Sequence, residues 1–211
     1  MGLIQGMPAW NWRANKEGMR PFHLDPTTHS LVTTEAEHHE IHEGHMWHLT
    51  HTDLDVDIAG PLKINILTPA ADAAGTDYAS ATHGGEVYVH FTAEVYASGQ
   101  VTVELIEGAT VSGGDAATPR NRNRDQGDSG LYSVVKTGVT ATGGTVLSSA
   151  VVGNTGNPVQ REAGTARTGL EWMLAHSEDY TIAVTAAQDN TIVIVKMDFY
   201  EHIHKDDWDG S

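Results

Sequence analysis

Residues 86–105, EVYVHFTAEVYASGQVTVEL, decide the fold class of this 211-residue chain. Val87, Val89, Phe91, Ala93 and Val95 occupy every second position, with Tyr88, His90, Thr92, Glu94 and Tyr96 between them. Side chains of a strand point alternately to its two faces, so a period of two marks a half-buried strand and not a helix. Ser98-Gly99 supplies a turn, and Val101, Val103 and Leu105 resume the alternation. The two segments are expected to pair as a hairpin.

Working outward, the same signal recurs on both sides. His45–His51 and Asp53–Ile58 read as two short strands, and residues 61–67, PLKINIL, as another, closed by Pro69 and a small-residue loop. Downstream, 131–140 and 145–152 flank ATGG, and 171–175, 180–186 and 191–200 follow. The last segment alternates Val193, Val195, Met197 and Phe199 with Ile192, Ile194 and Tyr200. Both of its faces are apolar, which predicts a central strand buried on both sides. Polar, Gly- and Asn-rich stretches at 113–130 and 153–164 read as loops. The sum is about eight to ten strands without a convincing helix, an all-β chain whose natural form is an antiparallel sandwich of jelly-roll type. The 22 glycines and the 19% charged residues fit short strands joined by many turns. The sandwich domain is expected to span residues 44–211.

Residues 1–43 carry no sustained period and are expected to form an extended N-terminal arm. Trp10, Trp12, Arg13 and Phe22 are its candidate contact residues, because large apolar bodies flanked by polar groups are favoured anchors at interfaces. The net charge of −16 repels phosphates and anionic lipid, so neither nucleic acid nor a membrane is an expected partner. The absence of cysteine excludes disulfides and thiolate metal sites. Residues 1–18 lack the apolar core of a signal peptide, so assembly in a cytoplasm is expected.

Two side-chain runs stand out. The first, EHHEIHEGHMWHLTH, spaces His39, His42, His45, His48 and His51 by three, with His38 beside them. Neutral imidazoles ligate transition metals, but the zincin pattern fails by one residue and Gly44 interrupts any helix. In an extended chain a spacing of three sends alternate histidines to opposite faces. The run therefore reads as a polar interface with His38 and His42 between subunits. The competing reading is a divalent metal shared at a threefold axis by His39, His42 and His45. The second run is Arg120, Arg122 and Arg124 in PRNRNR, in a chain with only 12 basic residues. At a spacing of two an extended loop would aim the guanidiniums the same way, toward carboxylates of a neighbouring subunit. His202-Ile203-His204 resembles half of a cupin metal motif, without the downstream Glu and Gly. No Gly-x-Ser-x-Gly elbow or phosphate loop is present, and no catalytic residue or cofactor is assigned.

Several blocks taken together resemble a group of tailed-bacteriophage virion structural proteins. They are HHEIHEGH (38–45), VTVELIEGATV (101–111), TPRNRNR (118–124), GLEWMLAHSEDYTIAVT (169–185) and VKMDFYEH (195–202). The resemblance covers residues of about 38–204 and leaves out the arm. It implies a non-enzymatic capsid decoration, or cement, protein on the outside of the head. The implied partners are the major capsid protein and further copies of the chain as a trimer, with the arm clasping capsid subunits. The alternatives are a tail, fibre or host-recognition module and, further off, a cupin-like metal enzyme.

Overall fold

The computed structural model describes residues 41, 44–70, 86–128, 130–153 and 171–204. The expected arm, with Trp10, Trp12, Arg13 and Phe22, and the histidines His38, His39 and His42 lie outside these residues. Within them the chain is almost entirely β. The strands are β1 (Met46–Val56), β2 (Leu62–Leu67), β3 (Glu86–Ala97), β4 (Val101–Glu107), β5 (Thr110–Ser112), β6 (Asp115–Ala117) and β7 (Arg120–Asn121). They continue with β8 (Val134–Thr137), β9 (Thr140–Thr142), β10 (Thr145–Val152), β11 (Trp172–Leu174), β12 (Asp179–Ala186) and β13 (Thr191–His204).

All pairings are antiparallel. One sheet has the order β11-β3-β13-β1-β7 and the other β10-β4-β12-β2-β8-β6, while β5 and β9 form a small third sheet. The two large sheets pack face to face as a sandwich. Leaving aside the strands of two to four residues at 110–142, the chain changes sheet at every connection except β4 to β10. The first of these eight strands, β1, therefore lies beside the last, β13. Likewise β2 lies beside β12, β3 beside β11, and β4 beside β10.

The alternation read at 86–105 sets the core. Val87, Val89, Phe91 and Val95 of β3 are buried, as are Val193, Val195, Met197 and Phe199 of β13. They meet Ile64 and Ile66 of β2, Val101 and Leu105 of β4, and Tyr180, Ile182 and Val184 of β12. Phe91 and Phe199 lie opposite each other in register with ring centroids 5.3 Å apart and tilted by 40°, a geometry that aromatic pairs favour.

Four expectations need correction. β3 and β4 do not form a hairpin, because they belong to different sheets. Neither Ser98 nor Gly99 has the positive φ that a two-residue hairpin turn requires. The corner instead splits its bonds between layers. Ser98 N donates to Ile192 O of β13, and Ala187 N, just past β12, donates to Gln100 O. Second, the two short strands expected from His45 to Ile58 are one, β1, with its register against β13 shifted between Asp53 and Val56. Asp55 N donates to Asp53 Oδ1 at that irregularity. Third, β13 is central but buried on one face only, since Ile192 is 42% exposed and Ile194, Lys196, Asp198 and Tyr200 are half-buried. The strand buried on both faces is β12, with Thr181 at 0% and Ala183 at 4%. The β5–β9 sheet accounts for this difference. Its cluster of Ala109, Val139 and Ala141 packs with Ile106, which lies opposite Thr181 on the outer face. Lys63 Nζ, on the same face of β2, donates to Ala141 O. Fourth, the polar stretch 113–130 is not all loop: it supplies β6, paired with β8, and β7, paired with β1.

Candidate functional site: the outer face of the five-stranded sheet

The inner positions of β3, β13 and β1 are spent on the core, so their alternate residues form a flat outer face. Register fixes how that face is tiled. Met173, His90, Tyr200 and Met46 make one cross-strand row. Thr92, Asp198, His48 and Arg120 make the next, and Glu94, Lys196 and Thr50 a third. Opposite residues on one face interact directly, so each row is a unit of side-chain chemistry.

The first row carries the densest cluster. The His90 and Tyr200 rings stack with centroids 4.2 Å apart and an interplanar angle of 11°. His90 Nδ1 bonds Glu171 Oε1, and the Tyr200 hydroxyl donates to the same carboxylate oxygen. Glu171 immediately precedes β11, so these two contacts fasten a three-residue edge strand to the sheet. Beside them Tyr88 packs against His176 at 5.3 Å, and His176 Nε2 is enclosed without a hydrogen-bond partner. A carboxylate orienting an imidazole is one half of a nucleophile-activating set. Here the carboxylate also accepts the phenol, and the result is a braced aromatic and polar platform.

The second row holds a half-buried hydrogen-bonded imidazole. His48 Nδ1 donates to Asp198 Oδ1 at 2.9 Å while its Nε2 accepts from Thr50 Oγ1 at 2.8 Å. The third row places Lys196 Nζ 4.9 Å from the Tyr96 ring centroid, and Tyr96 OH donates to Glu94 Oε2. The histidine spacing resolves here as expected. His48 is on the outer face opposite Asp198, whereas His51 is on the inner face opposite Val195. Among the described residues, no group of three His, Asp or Glu side chains is arranged to hold a metal ion. His45 is the one described member of the suggested metal trio. The side chains of His202 and His204 lie outside the described residues.

At the β7 edge the three arginines diverge instead of pointing one way. Arg120 Nη1 reaches Asp128 Oδ2 at 2.5 Å and Arg124 Nη1 reaches Asp128 Oδ1 at 2.6 Å. Arg122 Nη1 instead approaches Met46 Sδ at 3.2 Å. The reversal between them is built by side chains acting on backbone, as Asn and Asp do in turns. Asn123 N donates to Asn121 Oδ1, Asp125 N to Asn123 Oδ1, and Asn121 N to Asp128 Oδ1. The two guanidiniums hold the Asp128 carboxyl down at about 2. Arg120 and Arg124 remain largely exposed, so the loop offers a clamped pair of guanidiniums to the solvent.

One functional group was missed from sequence. Glu201, 3% exposed, lies on the inner face at the end of β13. Its carboxylate accepts from Tyr132 N at 2.7 Å, Ser133 N at 2.9 Å and Ser133 Oγ at 2.6 Å. Burial pushes its pKa up, against the pull of these bonds. Glu201 thereby ties the five-stranded sheet to the segment entering β8 of the other sheet. The signal was present, because Glu201 continues the inner period of Val193, Val195, Met197 and Phe199.

No helix among the described residues is long and apolar enough to cross a membrane. Comparison with family models, curated proteins and solved structures finds no match to this chain.

Proposed function

We propose that the chain is a virion structural protein that decorates and stabilises the outside of a tailed-phage capsid, and that its sandwich is a jelly roll. The observation that carries this reading is the strand order. Eight strands lie with the first beside the last, the second beside the seventh, the third beside the sixth and the fourth beside the fifth, an order that supports jelly-roll winding. That architecture recurs in viral capsid and lectin domains. The sequence blocks that resemble virion proteins occupy structural positions in it. GLEWMLAHSEDYTIAVT includes β11 and most of β12, VKMDFYEH lies in β13, and TPRNRNR carries β7 and the two arginines that hold Asp128.

In this reading the sandwich is a platform. The self-association as a trimer and the capsid contacts belong to the arm with Trp10, Trp12, Arg13 and Phe22, and to the subunit-facing His38, His42, Arg120, Arg122 and Arg124. The test is particle binding. Purified full-length chain is expected to bind isolated heads at a fixed stoichiometry, and a chain lacking residues 1–35 is expected to fold but not bind. Normal decoration by the truncated chain would overturn the assignment of the arm, and labelling on tails instead of heads would overturn the capsid role.

A tail or host-recognition module is the second reading, and the outer face of the five-stranded sheet favours it. The patch of Tyr88 with the stacked His90 and Tyr200, braced by Glu171, is the kind of aromatic, hydrogen-bonding surface that takes a ligand without chemistry. Loss of host-cell adsorption in a Tyr200→Ala, His90→Ala variant with intact heads would favour it.

A further inference from the structure

The six-stranded sheet ends in a strand unlike the other sheet edges. β10 (TVLSSAVV) hydrogen-bonds β4 along one side and, among the described residues, no strand along the other. The remaining edges are short: β11 and β6 have three residues each and β7 two. β10 has eight residues with no charge and no proline. An open strand edge presents a row of backbone donors and acceptors ready to pair, and proteins commonly blunt it with charge, proline or brevity. β10 has none of these, and of the other devices that blunt an edge it carries a single bulge, between Val146 and Ser148.

Its one irregularity arranges the exposed side chains. Val146 lies opposite Ile106 and Ser148 opposite Leu105, so Leu147 is an extra residue in a bulge. Without the bulge Val146 and Val151, five positions apart, would point to opposite faces. With it both lie on the outer face, Val151 opposite Thr102, and they are 50% and 65% exposed.

We infer that β10 is a homotypic docking edge, at which two copies of the chain pair their β10 strands antiparallel about a twofold axis and join two six-stranded sheets into one. The occupant is argued from charge and self-match. A chain with net charge −16 repels its own copies over most of its surface, but two β10 strands meet without charge. An axis through Ser149 sets Ser149 against its copy and Ala150 against Ser148. It also brings Val151 against the bulged Val146–Leu147 pair, so the two exposed valines of each copy cover those of the other. The contact is isologous, as a twofold interface must be. It stands independently of the virion reading.

The chain's lack of cysteine makes the test direct. Across an antiparallel pair the Cα atoms are about 4.5–5.5 Å apart, within reach of a disulfide. Full-length Ser149→Cys is expected to form a disulfide-linked dimer on mild oxidation, while Ser112→Cys, exposed on β5, stays unlinked. Val151→Lys, which places charge on the edge, is expected to weaken association by at least about tenfold in sedimentation while the chain keeps its β circular-dichroism spectrum. Ser149→Cys linking no faster than Ser112→Cys, or association indifferent to Val151→Lys, would overturn the inference. So would a monomer whose outer β10 amides resist hydrogen exchange, since another segment of the same chain would then hold the edge.

Discussion

Replacing Glu201 by alanine tests whether one buried carboxylate couples the two sheets. The substitution strands two buried donors, Ser133 N and the Ser133 hydroxyl, together with the part-buried Tyr132 N. Each unsatisfied buried donor costs about 1–3 kcal/mol, and losing the buried carboxylate also relieves its desolvation. The net expectation is a loss of about 3 kcal/mol, read by urea denaturation of the full chain at fixed concentration. Its pH dependence has a definite sign. The folded pKa of Glu201 lies above its ordinary 4.5, so the stability it contributes is full below about 4.5 and is lost as pH rises through the raised value. The cost of Glu201→Ala should therefore be larger at pH 4 than at pH 7. Ser133→Ala alone should cost about 1 kcal/mol, and the double variant should cost little more than Glu201→Ala. A Glu201→Ala variant within about 0.5 kcal/mol of wild type, or strict additivity with Ser133→Ala, would refute the staple.

Other outcomes follow from the same packing. Phe199→Ala, at a fully buried position against Phe91, should cost about 3–5 kcal/mol in the same denaturation assay. Tyr180 is buried, donates to Glu107 Oε1 and accepts from Ala175 N, and its phenol is pushed up to about 12, first by burial and then by Glu107. Ultraviolet titration should find one tyrosine ionising about two pH units late. The stability it contributes should be full below pH 10 and lost as pH rises through about 12. Asp128, held near 2 by Arg120 and Arg124, gives the opposite dependence, with its contribution present above 3.8 and lost as pH falls toward 2. Asp128→Asn should accelerate amide exchange at Asn121, whose N–H the carboxylate accepts. Gly153→Ala should destabilise strongly in a thermal melt, because its φ is +85° and an added Cβ would sit 2.4 Å from Gly99 O.

Alternation carried most of the fold from the sequence. The period of two through Val87–Val95 marked β3 correctly as half-buried, the apolar outer residues of 191–200 hid that β13 is half-buried too, and the same period continued to Glu201 would have found the staple. Pairing was less legible. Ser98-Gly99 has the composition of a hairpin turn, yet the partners of β3 and β4 come from 145–204, and no local residue encodes which sheet a strand joins. Bulges hid two further features, since the shift in β1 looked like a strand break and the one in β10 concealed that Val146 and Val151 share a face. The arginine run misled for a related reason. A spacing of two fixes direction only in an extended chain, and Asn121 and Asn123 turn this one by bonding their own backbone. The row of His90, Tyr200 and Glu171 could not be seen from spacing, because strand register brings together residues from three distant segments.

The placement of β1 beside β13 has a consequence for how the molecule comes to be folded. Met46 pairs with Tyr200, so this ladder closes across about 150 residues of chain. A topology of such high contact order folds slowly, and on the ribosome β1 and β3 must wait with open edges until β13 has been synthesised. The central strand of the first sheet is thus the last of its strands to be synthesised. Substitutions at Val195, Met197 or Phe199 should act on the yield of folded chain in the cell even where the purified protein tolerates them.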